Sequence, residues 1–151
     1  MAANQSGWVT ANWFWIASGV ASAAGILLIA LALRGTLALA GAALFVIGSA
    51  FWVIHAYLRS LDPDFSTEGL WMEAVFGWLT MSALALLGMV FLQGGLPKWV
   101  AFVNLGYALL FLLAFLNFRS QFFEFFPPQG VFLISLPMGV AALKFPLRAV
   151  E

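Results

Sequence analysis

The chain has 151 residues, 64% of them hydrophobic and 8% charged, with a formal net charge of zero. That leaves too little polar surface for a water-soluble domain, so one membrane-embedded domain over residues 1–151 is predicted. The absence of cysteine excludes disulfides, thiol catalysis and iron–sulfur clusters, and the lack of a basic run argues against a nucleic-acid partner.

Residues 1–8 hold no Lys or Arg, and the apolar stretch after them is too long for a signal-peptide core, so it reads as a span. Four stretches, 13–33, 37–57, 70–92 and 97–116, each run about 20 residues, the length that crosses a ~30 Å hydrocarbon core. They are apolar on nearly every side, whereas a soluble helix would keep a polar stripe. The joints are Arg34–Gly35–Thr36, a polar stretch around residues 58–69, and a turn containing Gly94, Gly95, Pro97 and Lys98.

A fifth span is expected over 128–145, which rises about 27 Å as a helix. Pro127 and Pro128 suit a helical first turn, and Pro137 is a kink that neighbouring helices can absorb. The fold class is therefore an all-α integral membrane bundle of five helices. Its alternative is four helices plus a re-entrant or interfacial C-terminal segment. Five spans place Arg34, Lys98, Lys144 and Arg148 on one face and Arg59 and Arg119 on the other. The positive-inside rule then makes this a multi-pass cell-membrane protein with a cytoplasmic C-terminus.

The face opposite those four cations collects the chemistry. It holds Arg59, Asp62, Asp64, Glu68, Glu73, Arg119, Glu124 and the single His55. Trp8, Trp13, Trp15, Trp71 and Trp78 fall at the same level, while Trp99 marks the other interface. In the second span Gly41, Phe45, Gly48, Trp52, His55 and Arg59 share a helical stripe. Glu73, Gly77 and Thr80 share one in the third, and Ser18, Ser22 and Gly25 one in the first. Small residues at this spacing let helices approach, so all three stripes are expected to face the interior. That brings His55 and Glu73 together, while Asn104 is a separate interhelical hydrogen-bonding group.

Residues 62–73 place oxygen ligands at the offsets of a calcium loop, but Thr67 stands where the turn glycine belongs and Pro63 follows the first ligand. An Asp-Pro-Asp turn, with Ser66 or Thr67 capping the next helix, is the simpler reading. One histidine and no zinc spacing leave no metal or other cofactor assigned. The first two spans carry no acid near the midplane, as a proton-coupled carrier would need.

The leading expectation is a binding or accessory membrane protein. Trp13, Trp52, Trp71 and Trp78 would wall a cavity for a lipid-like or apolar small molecule. Arg59, Arg119 and Glu124, with His55 and Glu73, would hold a polar head. The alternatives are a membrane enzyme using His55 and Glu73 as catalytic acid and base on a lipophilic substrate, and an oligomeric channel or small transporter. The partners in these readings are the bilayer, a membrane protein or further copies of the chain.

Overall fold

The computed structural model describes residues 2–62, 64–118 and 130–147. The described chain is all helical: α1 (Ala2–Leu33), α2 (Thr36–Leu61), the single turn α3 (Phe65–Glu68), α4 (Leu70–Gln93), α5 (Lys98–Phe118) and α6 (Gly130–Lys144). Four of these are long and apolar enough to cross a membrane, over Ser6–Leu33, Thr36–Leu61, Leu70–Gln93 and Lys98–Leu116. The expected fifth span begins in the described chain at Gly130 and runs 15 residues, about 22 Å of helix. Among the described residues the architecture is four helices of spanning length plus a shorter apolar helix. Pro127 and Pro128 lie outside the described residues.

Local chemistry sets the ends. α1 stops at Arg34, which takes φ 60° and donates its N–H to the Ala30 carbonyl at 3.1 Å. This left-handed residue closes the helix as a C-terminal cap. Gly94, at φ 122°, ends α4 in a conformation that strongly favours glycine. Pro137 sits inside α6 and supplies no N–H to the carbonyl one turn earlier.

The helices form a ring in the order α1, α2, α4, α5, α6. The α1–α2, α2–α4 and α4–α5 pairs pack closely, and α6 rests more loosely on α1 and α5. In lipid the drive for this is close packing rather than escape from water. The stripe Gly41, Phe45, Gly48, Trp52 and His55 is buried, as expected, and so is Glu73, Gly77, Thr80 on α4. A Cβ on Gly48 would stand 3.0 Å from Thr80 Cγ2, so glycine there sets the α2–α4 separation. The expectation fails for α1. Ser18, Ser22 and Gly25 are only partly buried. The tightly packed face of α1 carries Gly19, Ile26, Ala30 and Leu33 instead.

Candidate functional site

α2 runs upward to the end bearing its last-turn Arg59, and α4 starts from that same end with Glu73 in its first turn. His55 and Arg59 are four apart, hence on one face of α2, and that face meets α4. His55 Nδ1 stands 3.4 Å from Glu73 Oε1, and Arg59 Nη1 donates to the same oxygen at 3.4 Å. His55 is fully buried, Glu73 nearly so, and the Arg59 side chain is 18% exposed. One carboxylate thus lies between an imidazole and a guanidinium, in the first turn of α4, where its burial would be costly without those partners.

α1 closes the cluster from above. Trp8 Nε1 donates to the Arg59 carbonyl at 2.9 Å, one of the carbonyls a helix end leaves without a partner. The Arg59 guanidinium carbon lies 4.8 Å from the centre of the Trp8 ring, a cation–π contact. The α2–α4 joint closes it from the side. A Cβ on Gly69 would stand 2.5 Å from His55 Cδ2 and 2.7 Å from Nε2, and the Phe65 ring lies 5.8 Å from the imidazole. Below, Trp52 meets His55 edge-on at 6.0 Å and packs on Phe76 at 5.1 Å. Phe132 of α6 completes this layer, 5.5 Å from Phe76 and 6.2 Å from Trp52.

Neither His55 nitrogen reaches hydrogen-bond geometry among the described residues, although the Phe65 backbone lies close by. Arg59 Nε, Trp52 Nε1 and Ser49 Oγ also make no hydrogen bond there. These atoms all belong to α2. Buried polar groups are nearly always paired, so this run of unsatisfied atoms on one helix is unusual.

A second feature lies between α1 and α6. These helices run parallel, with Phe14 and Gly130 lining one end of the seam between them and Ile29 and Leu143 the other. Its upper stretch holds about 590 Å³, lined by Phe14, Trp15, Ser18, Phe132, Leu133 and neighbours. Its lower stretch holds about 340 Å³, lined by Gly25, Ile26, Ile29, Gly139, Val140 and neighbours. Ser22 and Ser135 line the junction, their hydroxyls 3.0 Å apart. Ser135 donates to the Phe132 carbonyl at 2.7 Å, so Ser22 is the donor between them. Ser18 donates back to the Phe14 carbonyl at 2.9 Å. With its hydroxyl donors committed, the groove presents an apolar wall.

The other expected residues are placed as follows. Trp52 is buried in the layer between the polar cluster and the groove. Trp13, Trp71 and Trp78 lie on the outer surface, at 53%, 54% and 39% exposure. There they pack edge-on against Tyr57, Phe51 and the pair Phe111 and Phe115 respectively. They are not gathered with Trp52. Arg119 and Glu124 lie outside the described residues. Asn104 donates to Met138 Sδ at 3.3 Å, linking α5 to α6.

The joint is a turn in which the Asp64 N–H donates to Asp62 Oδ1 at 3.0 Å. Glu73, which would close a calcium loop, points to His55 and Arg59 instead. The residue capping α4 is Gly69, because Ser66 and Thr67 are taken up in the intervening turn α3. Among the described residues no cluster of three or more metal-ligating side chains occurs.

Phe76, Phe132 and Gly69 were not singled out in the sequence, and Trp8 and Trp15 were placed at this level without a role in the site. Trp8 and Trp15 are seven apart and so lie on one face of α1, a signal the sequence does carry. No family model matches the chain, and neither a curated protein nor a solved structure was found to be similar to it.

Proposed function

We propose that this multi-pass membrane protein binds a lipid-like molecule, whose apolar chain lies in the upper stretch of the groove between α1 and α6. The observation that carries this reading is the 590 Å³ space at bilayer depth, walled by Phe14, Trp15 and Phe132 and free of unpaired hydroxyl donors. A polar substrate would find nothing there to bond, whereas a chain gains contact along its length. The same space would otherwise forfeit dispersion contacts on both helices.

Native mass spectrometry of gently solubilised protein, with identification of what is released, tests this. A stoichiometric lipid-like ligand is expected, and Ser18→Leu, which extends a side chain into the groove, is expected to displace it. Bare protein, or protein carrying only another polypeptide, would sink the reading.

The polar cluster supports a second reading, acid–base chemistry on a lipophilic substrate. It rests on the 3.4 Å approach of His55 Nδ1 to Glu73 Oε1, with neither imidazole nitrogen reaching hydrogen-bond geometry among the described residues. Under it, Glu73→Gln and His55→Ala abolish turnover while ligand retention survives. Under the binding reading alone, both variants retain ligand and no turnover is found.

A further inference from the structure

The lower stretch of the groove differs from the upper in its walls, its depth and the charges at its mouth. From Ser22 to Ile29 the wall on α1 rises about 10 Å, within one leaflet's share of a ~30 Å core. Gly25 and Gly139 line it from opposite helices, and a Cβ on either would meet nothing within 4 Å. The upper limit is the Ser22–Ser135 hydroxyl pair.

The mouth is cationic. Arg34 follows the last residue of α1, and Lys144, the last residue of α6, adjoins Leu143 of the groove wall. Both side chains are exposed. Lys98 opens α5 on the same face. Among the described residues every acid, namely Asp62, Asp64, Glu68 and Glu73, belongs to the opposite end of the bundle. A slot shorter than one leaflet, apolar inside and with a cation just beyond the end of each of its two walls, fits an amphiphile with an anionic head better than a partner helix.

We infer that the lower stretch between α1 and α6 is a binding site for one acyl chain of an anionic phospholipid, with its phosphate between Arg34 and Lys144. The chain enters from the leaflet on the cationic face and ends at the Ser22–Ser135 pair. The inference shares the lipid-binding reading of the groove, but it concerns a separate stretch and a separate leaflet. Anionic lipid is attracted by roughly 1 kcal/mol per basic side chain near a surface, so each cation contributes about five-fold to the preference.

The test uses the full chain reconstituted into vesicles of equimolar phosphatidylglycerol and phosphatidylcholine. The protein is re-extracted gently, and its retained lipid is counted and identified by native mass spectrometry. Wild type is expected to retain phosphatidylglycerol selectively. Arg34→Gln with Lys144→Gln is expected to abolish the preference while a lipid is still retained. Gly25→Leu with Gly139→Leu, substitutions into open space, is expected to remove that lipid. Gly106→Leu, also open but on α5 away from the groove, is expected to change nothing.

Failures of the two readings are separable. Wild type retaining no lipid overturns both. Lipid lost on Ser18→Leu but untouched by the Gly25/Gly139 pair overturns this inference and leaves the upper site standing. Equal retention of the two phospholipids, or a preference unmoved by Arg34→Gln with Lys144→Gln, overturns the anionic assignment.

Discussion

Gly69→Ala is the sharpest small perturbation of the polar cluster. The added methyl would stand 2.5 Å from His55 Cδ2, 2.7 Å from Nε2 and 2.7 Å from Phe65 Cε1, where ordinary contact is 3.4–4 Å. Gly69 has φ −86° and ψ 3°, which alanine adopts without strain, so the backbone contributes a gain of about 0.4–1 kcal/mol through the unfolded chain. Overpacking of a filled site costs about 1–3 kcal/mol. The imidazole is hemmed in by Trp52, Glu73 and Phe65, so little of the clash relaxes. The net expectation is a loss of roughly 1–2 kcal/mol, read as a shifted midpoint of reversible unfolding in mixed detergent micelles.

A double-mutant cycle assigns the cause. In a His55→Ala background the imidazole contacts are gone and only the Phe65 edge remains, so Gly69→Ala should cost about 1 kcal/mol less than in wild type. A Gly69→Ala protein as stable as wild type, or an equal cost in both backgrounds, would refute the claim that the joint is seated on His55.

Trp52→Ala removes a fully buried indole and is expected to cost about 3–5 kcal/mol, whereas Trp13→Ala or Trp71→Ala should stay within roughly 0.5 kcal/mol in the same unfolding assay. Trp8→Phe keeps a ring over Arg59 and loses the hydrogen bond to its carbonyl, for a cost of about 1 kcal/mol by the same assay. Glu73→Ala should destabilise more than Glu73→Gln, because the amide still accepts a hydrogen bond from Arg59; a reversed order of midpoints would contradict the pairing. Asn104→Leu gives up one contact to a thioether and is expected to shift the midpoint by no more than about 0.6 kcal/mol.

The α2 stripe was legible because α2 has close neighbours on both sides. Small and aromatic residues at three- and four-residue steps point inward when a helix is flanked by α1 and α4. The Ser18–Ser22–Gly25 stripe follows the same rule on paper and lies at an open seam instead. Small side chains permit close approach, and they equally leave a gap when the neighbouring helix stands off. The tryptophans were illegible for a different reason. In lipid an outward Trp71 is as well solvated as an inward one, so no burial energy separates the two orientations. Trp52 is assigned by its stripe, not by being tryptophan. Phe132 joins the aromatic layer through a contact 80 positions from Trp52, which no local period encodes.

The two ends of the bundle divide its labour by packing density. At the α1–α2–α4 end, a carboxylate, an imidazole, a guanidinium and an indole hold three helices in one register. Breaking any of them leaves a buried polar group behind. At the seam, α6 is shorter, carries Pro137 inside it, and is joined to α1 by the Ser22–Ser135 hydroxyl pair. Lipid is the natural filler for such a seam, because it conforms to an irregular wall and leaves the rigid side unchanged. Trp15 and Phe132 belong to both regions, lining the groove while packing against the Trp52 that touches His55. A chain seated in the upper groove would contact the two rings that pack on Trp52, so Trp52→Leu is expected to weaken any effect of the groove's occupancy on the polar cluster.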